Sequence, residues 1–175
     1  MPDTAGTIPI LIAPHPVLRL RALPVAANDP QIRGLAPRML AAMYAAPGIG
    51  LAAPQVGVSR RMFVMDLQEN NVRTPLVLIN PEITMQSKDT IGRDEGCLSL
   101  PGQYAEVTRP ARVKVRYLDL AGERREIEGE GLLAACLQHE IDHLDGILFV
   151  DHISALKRNM LMRRLAKEQR QKKAL

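Results

Sequence analysis

Gln138-His139-Glu140-Ile141-Asp142-His143 carries two imidazoles four residues apart, a spacing at which both project from one face of a helix and can grip one metal ion. The glutamate between them is placed to carry protons. The pattern is that of metal-assisted hydrolysis, in which the carboxylate handles the proton of an activated water. Taken alone, such a hexapeptide also arises by chance, as two solvated histidines on a surface helix. Its flanks favour a functional helix: Gly131-Leu132-Leu133-Ala134-Ala135-Cys136-Leu137 supplies helix-favouring residues, and Gly146 ends the run.

Catalytic metals of this kind take three protein ligands and keep one position open, so a third donor is needed. One familiar arrangement places a histidine six residues after the second motif histidine, where this chain has Phe149. Another uses a glutamate some way downstream, and the only one is Glu168, inside a basic tail. Cys136 shares the histidines' face but is too far along it. A metal between the imidazoles sits about 7 Å from it at a rise of ~1.5 Å per residue. A cysteine sulfur carries a metal only about 5 Å from its own Cα. Cys136 is therefore read as a small buried hydrophobe or as pocket wall. The remaining cysteine is Cys97, in Glu95-Gly96-Cys97-Leu98-Ser99-Leu100-Pro101-Gly102. A thiolate beside two imidazoles suits a soft or borderline divalent metal. An ordinary core cysteine at a strand end is the competing reading of that residue.

A third segment stands apart from these two, Gly48-Ile49-Gly50-Leu51-Ala52-Ala53-Pro54-Gln55-Val56-Gly57. In this order and spacing the three segments resemble the signature motifs of peptide deformylases, which remove the formyl group from the initiator methionine of new bacterial chains. The likeness runs from about Ile10 to Leu156. One departure lies near the start: Pro14-His15-Pro16-Val17-Leu18-Arg19 has His15 where the family has aspartate, which bears on the local turn only. The resemblance implies Cys97, His139 and His143 as ligands of one divalent metal ion and Glu140 as general acid and base. It also implies an oxyanion hole formed by the Gln55 amide and the backbone N–H of Leu98. Iron(II) is the physiological metal it implies, with zinc, nickel or cobalt admitted by the same donors.

Substrate contacts follow as expectations. Ile49, Leu132 and Cys136 are candidate walls of an apolar pocket for methionine, and Gly50 permits close approach of an extended peptide. Gly48 is read either as a left-handed helix cap or as part of that edge. Glu95 and Arg109 are expected to pair beneath the Cys97 loop. Two readings compete with a deformylase. An ordinary metallopeptidase lacks its downstream third ligand here. A basic ribosome- or RNA-associated factor on a dead hydrolase scaffold would have lost Glu140 or a ligand, and none is lost.

A chain of 175 residues fits one domain, 1–175, with a substantial core. That core is aliphatic and methionine-rich, because the sequence is 46% hydrophobic but has no tryptophan. No stretch approaches a membrane span, and the opening Met1-Pro2-Asp3-Thr4-Ala5-Gly6 lacks the marks of a secretory signal. Two cysteines give no disulfide framework. A cytoplasmic protein is expected, acting on N-formylmethionyl nascent peptides, with neither membrane association nor specific DNA binding. Charge is uneven: residues 152–175 carry a net +7 and the rest a net −3. This basic end is read either as a solvated helix or as a surface facing phosphate, and some family members are thought to dock on the ribosome through such a helix.

Asn28-Asp29-Pro30 signals a helix running towards Ala46, with Gly34 and Pro37 as points of disturbance. Strands are predicted at Met62 to Asp66, Pro75 to Ile83 and Ala111 to Leu120, then a turn at Ala121-Gly122 and a strand from Arg124 to Ile127. Glu130 to Leu144 is the metal helix, Ile147 to Val150 a short strand, and Ser154 onward a basic final helix, about 153–175. Ile153, Leu156 and Met160 are expected to anchor it. The whole predicts an α+β fold, a mixed, mainly antiparallel sheet packed around a central metal-binding helix, with Cys97 entering from the sheet side.

Overall fold

The protein is described from a computed structural model covering residues 7–26 and 28–175; the amino-terminal segment read for secretory signals lies outside the described residues. Asp29 accepts a hydrogen bond from the Gln31 N–H at 2.9 Å and Pro30 fills the first turn, so helix α1 (Pro30–Ala45) starts where the sequence signals it. It continues unbroken through Gly34 and Pro37. Both sit on its exposed face, so the carbonyl deprived of a partner by proline faces water rather than core. Its other face buries Ile32, Leu35, Met39 and Met43.

Five antiparallel strands follow in the spatial order β1-β2-β3-β6-β7: β1 (Gly50–Ala52), β2 (Met62–Met65), β3 (Leu76–Gln86), β6 (Arg112–Leu118) and β7 (Arg124–Glu130). The turn at Ala121-Gly122 joins the last two, and the Asp119 carboxylate accepts from the N–H groups of Ala121 and Glu123. Strand β2 explains the layering. Met62 and Val64 pack with α1, while Phe63 and Met65 point into a second core with helix α2 (Gly131–Leu144). All four are buried, because helices cover the sheet on both faces.

A separate hairpin, β4 (Thr90–Cys97) with β5 (Leu100–Pro110), lies apart from that sheet. Its core residues Leu100 and Val107 join Leu148, Phe149 and Val150 and two residues of the last helix, α3 (Ala155–Lys173). The α+β architecture, mainly antiparallel and with α2 at its centre, is thus as predicted. Neither β1 nor the hairpin's strands are in the sequence reading.

Three expectations are corrected. Ile147 to Val150 is not a strand; a 3-10 turn spans Phe149–His152, pinned by the Asp151 carboxylate accepting from the Leu148 N–H at 2.9 Å. Leu156 and Met160 do not anchor α3: they are 72% and 53% exposed, and Leu161 and Leu165 are buried instead. Gly48 is not a left-handed cap. Its N–H donates to the Met43 carbonyl at 2.7 Å, and a Cβ there would lie 2.7 Å from the Leu98 side chain. Gly146 does end α2, at φ +75°, where a Cβ would strike the Arg19 carbonyl oxygen at 2.5 Å. At the amino end His15 replaces a capping acid without loss of the turn, its Nδ1 accepting from the Val17 N–H.

Candidate metal centre

Helix α2 presents His139 and His143 one turn apart towards the end of β4, which carries Cys97. One donor atom from each of the three residues lies within 4.8 Å of the others, with Cys97 Sγ 3.3 Å from His143 Nε2. Cys136 is outside this group; its sulfur faces the Ile49 carbonyl at 3.9 Å and forms part of a cavity wall.

The donors are fixed from behind. His139 Nδ1 meets Glu95 Oε1 at 2.9 Å, which leaves Nε2 free for a metal. Glu95 is held in turn by Arg109, whose Nε and Nη2 donate to its two oxygens at 2.6 and 2.9 Å. Burial pushes the Glu95 carboxyl up, but its bonds with His139 and Arg109 outweigh that and hold it down at about 2. The pairing of Glu95 with Arg109 is as the sequence suggests. The histidine contact is not, and neither is the continuation from Arg109 Nη1 to Asp142 at 2.8 Å and from Asp142 to His152 at 2.8 Å. An acid two positions before a ligand cysteine, Glu95 before Cys97, is the only sequence signal that could have found the first of these.

Glu140 is 3% exposed, and its Oε2 has no hydrogen-bond partner among the described residues. Burial raises its carboxyl to about 7, with the charge of His139 pulling the other way. Gly50 makes room for it: a Cβ there would lie 2.5 Å from Glu140 Oε1. Gln55 is also buried. Its Oε1 accepts from the Ala52 N–H at 2.9 Å, which sets the amide so that Nε2 donates to Ser99 Oγ at 3.0 Å and points towards Cys97 Sγ at 3.6 Å. Leu98 lies in the two-residue turn joining β4 to β5.

These groups form the floor of a cleft of about 620 Å³ lined by Ile49, Gly50, Gln55, Leu98, Leu132 and Cys136, among others. One soft donor and two imidazoles beside an orphaned buried carboxylate oxygen fit a divalent cation with an open position on the cleft side.

Fold and donor set together define a metal-dependent hydrolase with its reactive groups at the base of a peptide-sized groove. The family model described as polypeptide deformylase matches residues 7–159. The peptide deformylase of Rhizobium meliloti is 53% identical over 160 residues, 91% of this chain and 92% of the relative. That of Alkalilimnicola ehrlichii is 56% identical over 162 residues, 93% and 90% of the two chains. Among solved structures, a deformylase from Legionella pneumophila superposes with a TM-score of 0.89 at 47% identity, covering 94% of this chain and 96% of that one. One from Ehrlichia chaffeensis in complex with actinonin gives 0.90 at 39%, covering 94% and 99%.

The chain belongs to the peptide deformylase family. Its reaction is the removal of the N-formyl group from newly made polypeptides, with release of formate.

Proposed function

We propose that Cys97, His139 and His143 hold one cation, iron(II) in the cell, and that Glu140, Gln55 and the Leu98 N–H carry the chemistry around it. The observation that supports this most is the convergence of the three donors beside the buried, unpartnered Glu140 oxygen. When bound, the cation polarises the formyl carbonyl and acidifies a water. Glu140 takes the proton of the attacking water and returns it to the departing amine. Its raised affinity for a proton suits both transfers. Gln55 Nε2 and the Leu98 N–H stabilise charge on the carbonyl oxygen, and the Ala52 contact orients the Gln55 amide beforehand. The peptide runs along the Gly48–Gly50 edge, with its methionine side chain among Ile49, Leu132 and Cys136.

Zinc, nickel or cobalt can substitute at the same donors, and activity with iron is oxygen-sensitive because both iron(II) and its thiolate ligand oxidise. We place the enzyme in the cytoplasm, as one catalytic domain over residues 1–175; among the described residues no helix is long and apolar enough to cross a membrane. Basic α3 is the surface we assign to the ribosome.

The test offers metal-loaded enzyme a formyl-methionyl peptide and its unformylated twin. Formate from the first with the second intact is expected; cleavage of the second would favour a peptidase. Metal analysis of variants tests the ligand set: Cys97→Ser loses stoichiometric metal and Cys136→Ser keeps it. Loss from Cys136→Ser with retention in Cys97→Ser would overturn the assignment. Glu140→Ala keeps metal and loses on the order of 10²–10⁴-fold in turnover.

A further inference from the structure

Among the described residues Arg93 is the only lysine or arginine lining the cleft. On β4 it shares a face with Glu95 and Cys97, because successive side chains alternate. A guanidinium on that face should find an acid, and here it does not. Glu95, two residues on, is already occupied by Arg109 and His139. Asp94 belongs to the opposite face, across from Glu106 on β5. Among the described residues Arg93 joins no ion pair, and its Nε is buried without a hydrogen-bond partner.

The guanidinium lies over the first turn of α2: its Nη2 is 3.9 Å from where a Cβ on Gly131 would stand. Leu132, 45% exposed, is the next residue and part of the same cleft wall. The unpaired cation therefore lines the same cleft as the apolar pocket assigned to methionine, close to the start of α2 from which Leu132 projects. In an extended peptide the side chains of residues 1 and 3 share a face and lie roughly 7 Å apart. With residue 1 seated among Ile49, Leu132 and Cys136, residue 3 faces the same side of the cleft, whose lining includes Arg93.

We propose that Arg93 is a specificity-determining residue that favours formyl-methionyl chains with aspartate or glutamate at the third position. This rests on the seating of methionine given above. An arriving carboxylate meets a guanidinium that joins no ion pair among the described residues, and arginine's planar fork matches carboxylate geometry. A lysine at the same position meets like charge and is disfavoured. Residue 2 points away from this wall and is not selected by it.

The test uses full-length, metal-loaded enzyme and amidated peptides, so that no terminal carboxylate competes: formyl-Met-Ala-Glu-Ala, formyl-Met-Ala-Lys-Ala, formyl-Met-Ala-Gln-Ala and formyl-Met-Glu-Ala-Ala. In the unmodified enzyme the glutamate peptide should exceed the lysine peptide in kcat/KM by about tenfold, chiefly through KM, as one attraction replaced by one repulsion implies. The ratio should shrink at about 0.5 M salt, where screening is short-ranged. Arg93→Gln should bring it near one, and Arg93→Lys should keep part of it. A ratio within twofold in the unmodified enzyme, an unchanged ratio in Arg93→Gln, or an acid preference at position 2 instead would overturn the proposal. Should Arg93→Gln not fold, the salt response and Arg93→Lys decide. Absence of formate from the glutamine peptide would strike instead at the seating of methionine, and so is distinguishable.

Discussion

Gly50 and Glu140 depend on one another at the scale of single residues. The carboxylate occupies space that any β-carbon at position 50 would claim, since the gap is 2.5 Å to Oε1 and 3.0 Å to Cδ. Gly50→Ala should fold, keep its metal and lose about 10²-fold in kcat, the cost of displacing a catalytic group by roughly an ångström. Unchanged kcat with stoichiometric metal would show that Glu140 tolerates the shift. A pH measurement isolates the same carboxyl. Its ordinary value is 4.5 and the folded value about 7, so the folded state binds this proton more tightly than the unfolded one. The resulting stabilisation is complete below about 4.5 and is lost as pH rises through 7. Glutamine stays neutral throughout. Chelator-treated Glu140→Gln should therefore match the parent near pH 4.5 and exceed it near pH 8, by up to about 3 kcal/mol in urea unfolding. An equal difference at both values would contradict the burial argument. Both residues were legible in sequence as members of the site. Their interlock was not, because Gly50 and Glu140 are ninety positions apart and a missing side chain names no neighbour.

Among the elements, the hairpin of β4 and β5 matters most to the site and was least legible. Thr90-Ile91-Gly92-Arg93-Asp94-Glu95-Gly96-Cys97 has two glycines and three charges and no apolar alternation, so nothing in it reads as a strand. It is one because its partner compensates: the Glu106 side chain packs over Gly92 and the Tyr104 ring over Gly96. Strand β2, by contrast, has four apolar residues in a row and is plain in sequence. The hairpin is tied to α2 by Arg109, which reaches Glu95 on β4 and Asp142 on the helix, with all but the last nearly sealed from water. Arg109→Ala leaves the Glu95 charge buried with only His139 beside it. Stability should fall by about 3–5 kcal/mol, the usual cost of removing one partner from a buried pair. Metal affinity should fall as well, by about 10–100-fold, because the group that orients His139 is itself no longer held. Calorimetry and competition with a chelator would measure the two separately. A loss of stability with metal affinity unchanged would limit Arg109 to holding the fold.

For the whole molecule, the question is whether the basic end can be separated from the catalytic body. Sequence places the last apolar contact of α3 near Leu165 and so suggests a cut there; the structure moves it. Leu161 and Leu165 are buried against β5 and the Phe149 turn, and beyond them Glu168 accepts from the buried Gln103 amide at 3.1 Å. Apolar spacing alone allowed either arc of α3 to face inward, and only the position of the hairpin chooses between them. Residues from Arg170 onward are exposed and hold three of the tail's basic residues, Arg170, Lys172 and Lys173. Deleting 170–175 should leave the melting temperature and the hydrolysis of a short formyl peptide unchanged. Deleting from Leu165 should instead lower stability by about 2–5 kcal/mol through loss of a buried leucine. If this end meets ribosomal phosphate, the shorter deletion weakens association, because each basic contact removed releases fewer counterions on binding. Co-sedimentation of full-length and 170–175-deleted protein with ribosomes across a salt series reads this directly. The expected result is a shallower fall of binding with salt in the truncated protein. Equal, salt-insensitive binding by both would leave α3 as a solvated helix whose inner face holds the hairpin in place.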